Sequence, residues 1–227
     1  MERKIFFTAL AVTMLLGTLL RRKKYQFSTS QAVIIAFILL FGGIGGTYLM
    51  GALEAGTWGN ISYYGSVFIV PILMIPFSKI IKQNYSVLMD YCAPCGIAAI
   101  AVGKLNCKIT GCCGGRVLWY TAEGQGVVFP SQLVEMAVAT VILIILLRIE
   151  QKKLFSGKLY PYFLILYGST RFVLTWFRET ELVFGIMPSA CILSLIAVVL
   201  GIVWLLLLKK GIINAPVERN KSKKIKN

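Results

Sequence analysis

The sequence has no histidine, and only 9 of its 227 residues are acidic. Without histidine, the chain lacks every catalytic triad and every metal site that needs an imidazole. Charged residues make up 15% of the chain, well below the roughly 25% of soluble domains. Hydrophobic residues reach 57%, and the mean hydropathy is +0.77. These values exclude a water-soluble enzyme and a nucleic-acid-binding domain, and they predict an integral membrane protein with no nucleic-acid partner.

Charge is missing from long stretches of the chain. No charged side chain occurs between Tyr25 and Leu53 or between Leu182 and Leu208, and a helix crosses a bilayer with about 20 apolar residues. We therefore predict an all-α integral membrane protein, a seven-transmembrane-helix bundle formed by one polytopic domain at residues 1–208. A basic tail follows at residues 209–227. The predicted spans are roughly 5–20, 32–51, 61–77, 87–103, 133–148, 159–176 and 187–208.

The net charge of +15 is distributed unevenly along the chain. Most of the 24 Lys and Arg residues follow the first, third, fifth or seventh predicted span. Because basic loops stay in the cytoplasm, this pattern predicts an N-terminus outside and a cytoplasmic C-terminal tail. The first span is followed by Arg21–Lys24 and not by a small-residue cleavage site, which favours a retained helix over a signal peptide.

Glu135 and Arg171 interrupt two predicted spans at a similar depth in the outer half of the membrane. Intramembrane charges are costly and occur mainly in a bundle interior or a wet cavity. Two interpretations stay open: a structural ion pair, or the lining of a cavity open to the outside. Lys104, Arg116 and Arg178 are predicted at the same level. This set of cations suits an anion such as a lipid phosphate, because arginine binds phosphate through two parallel hydrogen bonds.

Three cysteines, Cys107, Cys112 and Cys113, lie in the outer segment between Lys104 and Gln132. Disulfides form outside the cytoplasm, so a disulfide that stabilises the loop and thiol–disulfide chemistry both fit this cluster. Three thiols also suit part of a zinc site, but no fourth ligand is evident in the sequence. We therefore predict redox or structural thiols here, with no metal site and no cofactor.

Four motifs occur in the order and positions of one bacterial family. The chain resembles the prolipoprotein diacylglyceryl transferases over roughly residues 30 to 208. The matching segments are Ile61–Gly65, Asp90 to Arg116, Pro130–Glu135, and Leu166–Phe172 followed by Phe177–Glu179. A bundle of seven spans with an outward N-terminus agrees with this resemblance.

The resemblance implies a transferase of the bacterial cytoplasmic (inner) membrane. Family members move a diacylglyceryl group from phosphatidylglycerol to the lipobox cysteine of a preprolipoprotein, forming a thioether and releasing glycerol phosphate. The implied partners are therefore phosphatidylglycerol, a lipobox peptide and membrane lipid. By resemblance, the catalytic residues are Arg171, Tyr64 and Glu135, and the substrate-binding residues are Lys104, Arg116, Arg178 and Gln132.

The sequence departs from the family at several of these positions. Tyr64 stands where the family has histidine, and Lys104 replaces an arginine. Cys107 and Cys112 replace an asparagine and a glutamate, and Thr175 replaces a second glutamate. The chain thus resembles a cysteine-rich, histidine-lacking branch of the family.

Two other functions stay open at this point. The first is a membrane thiol–disulfide enzyme that uses Cys107, Cys112 and Cys113. The second is a catalytically degenerate homologue that binds lipid or lipoprotein without turnover.

Overall fold

The protein is mainly helical in the computed structural model, which describes residues 3–111, 114–152, 157–178, 182–183 and 187–213. Residues Thr29–Ala55 form one continuous helix, which is interrupted by a π-helical turn at Ile38–Gly42. The helices are α1 Arg3–Tyr25, α2 Thr29–Phe37, α3 Gly43–Ala55, α4 Tyr63–Ile80, α5 Tyr85–Thr110, α6 Ser131–Lys152, α7 Leu159–Thr175 and α8 Ser189–Lys209.

Six helices in the described part of the chain are long and apolar enough to cross a membrane: Lys4–Tyr25, Thr29–Ala55, Tyr63–Ile80, Tyr85–Thr110, Ser131–Lys152 and Ser189–Lys209. Each coincides with one predicted span. The remaining span, predicted at 159–176, coincides with α7, which has 17 residues. At 1.5 Å per residue, α7 is about 25 Å long, slightly less than a hydrocarbon core of about 30 Å. The seventh span and the orientation therefore stay predictions.

Two short antiparallel strand pairs interrupt the helices. Strand β1 (Val117–Tyr120) pairs with β2 (Gly126–Val128), and β3 (Leu182–Val183) pairs with β4 (Met187–Pro188). The strands, which were not predicted, lie between α5 and α6 and between α7 and α8, and the chain is mainly helical as predicted. β1 and β2 are rich in β-branched and aromatic residues, which favour strands, and Gly124 adopts φ 76° in the turn between them.

Helix α5 lies in the middle of the bundle and packs against α1, α4, α6 and α7. Its side chains Leu88, Tyr91 and Ile97 are fully buried, as expected for a helix that is apolar on every side. Nearby, α3 and α4 cross closely at Gly46, where a Cβ atom would lie 2.7 Å from the Gly65 carbonyl oxygen. This close approach fixes the first turn of α4 against α3.

Buried charges tie the helices together at both ends of the bundle. At one end, which we name the Glu150 end, Arg21 of α1 pairs with Glu150 of α6. At the same end, Asp90 of α5 accepts hydrogen bonds from the backbone N–H groups of Leu159 (2.8 Å) and Tyr160 (3.1 Å). Asp90 therefore caps α7 from a neighbouring helix, since the N-cap residue of α7 makes no side-chain cap of its own. We name the opposite end of the bundle the Glu135 end.

Asp90→Ala is expected to destabilise the protein by about 1–3 kcal/mol, because two buried N–H groups at the start of α7 lose their acceptor. Asp90→Asn keeps a carbonyl oxygen in place and should destabilise it less. Thermal unfolding of the two variants in the same detergent measures the difference. Equal midpoints for Asp90→Ala and the unaltered protein would show that the cap contributes nothing.

Candidate active site

Three basic side chains meet one buried carboxylate at the Glu135 end. The Oε2 atom of Glu135 lies 2.5 Å from Lys104 Nζ and also contacts the guanidinium of Arg171. Arg178 Nε lies 3.6 Å from the other oxygen, Oε1. Lys104, Glu135 and Arg171 are 1%, 6% and 8% exposed. The structure thus brings together four of the residues predicted from sequence, and we refer to them as the Glu135 cluster.

The Glu135 cluster carries more positive than negative charge. Within the residues that the structure describes, Glu135 is the only carboxylate paired with Lys104, Arg171 and Arg178. Buried cations are normally matched by partners, because an unpaired charge at low dielectric is costly. Three cations against one carboxylate therefore suit the binding of a second anion.

Three helices and one β-bridge position the members of the Glu135 cluster. Lys104 lies on α5, Glu135 on α6 and Arg171 on α7, while Arg178 follows the end of α7. Arg178 forms an isolated β-bridge with Gly115. The neighbouring N–H group of Arg116 donates to the Phe177 carbonyl oxygen (2.9 Å). The segment after α5 thus holds the segment after α7 in place.

The other predicted site residues are not members of the Glu135 cluster. The side chain of Arg116 is exposed, so this arginine lies beside the cluster through its backbone only. Gln132 lies one turn before Glu135 on α6 and is partly buried. Cys107 is buried one turn after Lys104. Cys112 and Cys113 lie outside the described residues.

Tyr63 belongs to the site, although sequence reasoning did not include it among the site residues. Lys104 Nζ lies 4.8 Å from the centroid of the Tyr63 ring, a cation–π contact. The Tyr63 hydroxyl lies 3.5 Å from Cys107 Sγ. The signal was available in the sequence, because Tyr63 precedes Tyr64 within the matched motif.

Tyr64 lies next to the Glu135 cluster, but its hydroxyl bonds elsewhere. Tyr64 Oη is 2.6 Å from Ser194 Oγ on α8, and Ser194 Oγ donates to the Ala190 carbonyl oxygen. Since the Ser194 proton is already used, Tyr64 is the donor to Ser194. The Tyr64 ring packs against Phe68 and Tyr167, with both centroid distances 5.7 Å. This geometry favours a packing role for Tyr64 over a role as proton acceptor.

Tyr64→Phe is therefore expected to change the turnover number by less than about three-fold, because only one neutral hydrogen bond is lost. The midpoint of thermal unfolding should fall, since Ser194 then loses its buried partner. Steady-state transfer rates and unfolding curves on the same preparation test both statements. A fall of about 100-fold or more in turnover, the range of a lost general base, would instead assign proton transfer to Tyr64.

An apolar groove with a volume of about 190 Å³ runs along α5. Helices α1, α3, α4 and α5 form its walls, and its lining extends along α5 from Met89 to Cys107. Eighteen residues of helix rise about 27 Å, close to the thickness of a hydrocarbon core. Tyr63 and Cys107 line the groove. Since Tyr63 also contacts Lys104, this side chain connects the apolar groove to the Glu135 cluster.

Residues 5–207 match the family model described as prolipoprotein diacylglyceryl transferase. The chain belongs to this family. Three relatives carry the name phosphatidylglycerol–prolipoprotein diacylglyceryl transferase. The Clostridium novyi protein is 29% identical over 169 residues, which cover 69% of this chain and 65% of the relative. The Campylobacter lari protein is 34% identical over 63% of this chain and 56% of its own length.

The third relative, from Campylobacter curvus, is 32% identical over 68% of this chain and 60% of its own length. The chain thus spans less than two thirds of each of these curated relatives. Membership of the transferase family agrees with the resemblance seen in the sequence motifs. The Glu135 cluster lies within the matched residues.

Proposed function

We propose that this protein transfers a diacylglyceryl group from phosphatidylglycerol to a cysteine thiol of a prolipoprotein. The observation that carries the proposal is the Glu135 cluster, an excess of buried cations that Tyr63 connects to an apolar groove. A phospholipid has the same two parts, an anionic head and apolar chains. The names of the relatives support the same donor and acceptor.

The cations of the cluster would hold the phosphate of the lipid. Arg171 offers a planar fork for two phosphate oxygens, and Lys104 offers a point charge. Both side chains are almost fully buried, and electrostatic contacts are stronger where water is excluded. The acyl chains would follow the groove along α5.

The transfer step requires an ionised thiol and a stabilised leaving group. The thiolate sulfur of the acceptor forms a bond to the glyceryl carbon, while the bond from that carbon to the phosphate oxygen breaks. The oxygen keeps the electron pair, and glycerol phosphate leaves. Cations aimed at this oxygen lower the barrier, and the same positive charge favours the thiolate. Glu135 is the carboxylate in reach of the site, and we assign it as acceptor of the thiol proton.

We further propose seven spans, with α7 as the sixth, an outward N-terminus and a cytoplasmic C-terminus. This orientation places the Glu135 end at the outer face of the bacterial cytoplasmic membrane. The basic loops support it through the positive-inside rule. Residues 1–208 would form one membrane domain, and residues 209–227 a cytoplasmic tail, of which 214–227 lie outside the described residues.

A peptide transfer assay tests the proposed function. The purified full-length protein is incubated with phosphatidylglycerol vesicles and a lipobox peptide that contains one cysteine. Mass spectrometry should show a thioether-linked gain of one diacylglyceryl group, and a peptide with serine in place of cysteine should show none. No gain, with the Clostridium novyi relative active in parallel, would refute transfer and leave a lipid-binding homologue.

The thiol–disulfide alternative is not favoured by these findings. The family model matches residues 5–207, most of the chain. Cys107 is buried, and its Sγ atom lies near the Tyr63 hydroxyl.

A further inference from the structure

We propose that Glu135 is an internal counter-ion that holds the phosphate position until the lipid phosphate displaces it. This inference rests on the proposed function, since it assigns a lipid phosphate to the Glu135 cluster. It goes further by giving Glu135 a positioning role in binding and product release, in addition to proton transfer.

The first observation is the convergence of two cations on a single oxygen. Lys104 Nζ and the Arg171 guanidinium both contact Glu135 Oε2, although they come from two different helices, α5 and α7. Without an anion between them, two buried cations that both contact the same oxygen atom would repel each other strongly. Glu135 therefore keeps both side chains in a geometry that fits one phosphate oxygen.

The second observation is the unfilled hydrogen-bonding capacity around the carboxylate. Within the described residues, Glu135 Oε1 and Arg178 Nε are both buried and have no hydrogen-bond partner. They face each other at 3.6 Å, which is an ion-pair contact but too long for a hydrogen bond. Native structures rarely leave buried polar atoms without partners. A phosphate carries more acceptor oxygens than a carboxylate, so it can accept a hydrogen bond from Arg178 while Glu135 Oε1 keeps its ion-pair contact.

The third observation is the net charge. Because Glu135 is the only carboxylate in the described residues that pairs with Lys104, Arg171 and Arg178, the cluster keeps two positive charges in excess. A phosphodiester anion can therefore enter without expelling a charged side chain from the protein. Glu135 gives up Oε2 contacts to Lys104 and Arg171 and keeps Arg178 at Oε1. Its freed oxygen is then available for the thiol proton.

The same exchange works in reverse when the product leaves. Glycerol phosphate carries more negative charge than the phosphodiester, so the cations hold it more tightly than the substrate. Glu135 competes for these cations and shortens the lifetime of the product complex. Removing the carboxylate should therefore strengthen binding of the phosphate and slow turnover, whereas loss of a merely structural ion pair would weaken both.

Glu135→Gln tests the proposal in full-length protein. Calorimetric titration with glycerol phosphate should show a dissociation constant lower by about ten-fold or more, the scale of one close charge pair. In the transfer assay, KM for phosphatidylglycerol and kcat should both fall. Glu150→Gln is the matched control, because Glu150 is also a buried, ion-paired carboxylate on α6, at the opposite end of the bundle. Glu150→Gln should lower the midpoint of thermal unfolding, but it should leave the dissociation constant of glycerol phosphate and the kinetic constants of transfer unchanged.

Weaker or unchanged glycerol phosphate binding by folded Glu135→Gln would overturn the proposal. If that variant does not fold, Glu135→Asp replaces it, since a shorter carboxylate reaches Lys104 and Arg171 less well and should tighten binding by a smaller factor. The binding measurement needs no turnover. Tighter glycerol phosphate binding without any lipid transfer would therefore support the counter-ion role and refute the proposed function separately.

Discussion

Arg171→Ala is expected to lower kcat for diacylglyceryl transfer by about 10²–10³-fold, the cost of losing one preorganised donor to a developing anion. Arg171 is 8% exposed and contacts Glu135 inside the bundle, so no water-exposed side chain can replace it. The variant should still fold, because Glu135 keeps Lys104 and Arg178 as partners. Initial rates of peptide lipidation, measured alongside thermal unfolding, check both parts.

Two further arginine substitutions sharpen the test of Arg171. Arg171→Lys keeps the charge but loses the planar fork, so its activity should lie between those of Arg171→Ala and the unaltered protein. Arg148→Ala removes an exposed arginine from α6 and should have no effect. If Arg171→Ala retained more than half of the activity, the phosphate would have to bind elsewhere.

Gly96→Trp is expected to block lipid transfer by filling the apolar groove. Gly96 lines the groove, and a Cβ atom at this position meets no other atom within 4 Å. The helix can therefore accept the tryptophan side chain, which then occupies the space that an acyl chain would fill. Each excluded CH₂ group costs about 0.8 kcal/mol, so two excluded groups already reduce transfer from a long-chain lipid by about ten-fold.

Gly45→Trp is the matched control for the groove. Gly45 also lies inside a helix with open space around its Cβ position, but it is exposed and does not line the groove. Transfer rates with dipalmitoyl and dihexanoyl phosphatidylglycerol should differ strongly for Gly96→Trp and little for Gly45→Trp. Equal rates for both variants with the long-chain lipid would show that the groove does not hold acyl chains.

Long uncharged runs and the positions of intramembrane charges carried most of the information in the sequence. Such runs predict helices, because backbone N–H and C=O groups in the bilayer core must form hydrogen bonds with one another. Six predicted spans are confirmed as helices that are long and apolar enough to cross a membrane. Glu135 and Arg171 were placed at one depth from helix rise alone, and the structure pairs them.

Features that depend on packing between distant segments were not predictable. Tyr64 bonds to Ser194, 130 residues away, and no local pattern reports that contact. The groove exists only because α1, α3 and α4 pack around α5. The position of Arg116 in the sequence predicted that it lies with the other cations. The direction of its side chain depends instead on the β-bridge and the backbone hydrogen bond that hold this loop against the segment after α7.

The order of charges along the chain has a consequence for biogenesis. Lys104, Glu135 and Arg171 lie on three successive helices, α5, α6 and α7, and a lone charge inside the membrane opposes insertion. Helix α7 carries Arg171 and is also the shortest of the proposed spans. Because synthesis delivers Glu135 before Arg171, α6 can already offer an acid when α7 emerges. The three helices should therefore leave the translocon as a group, with the future phosphate site already neutralised in part.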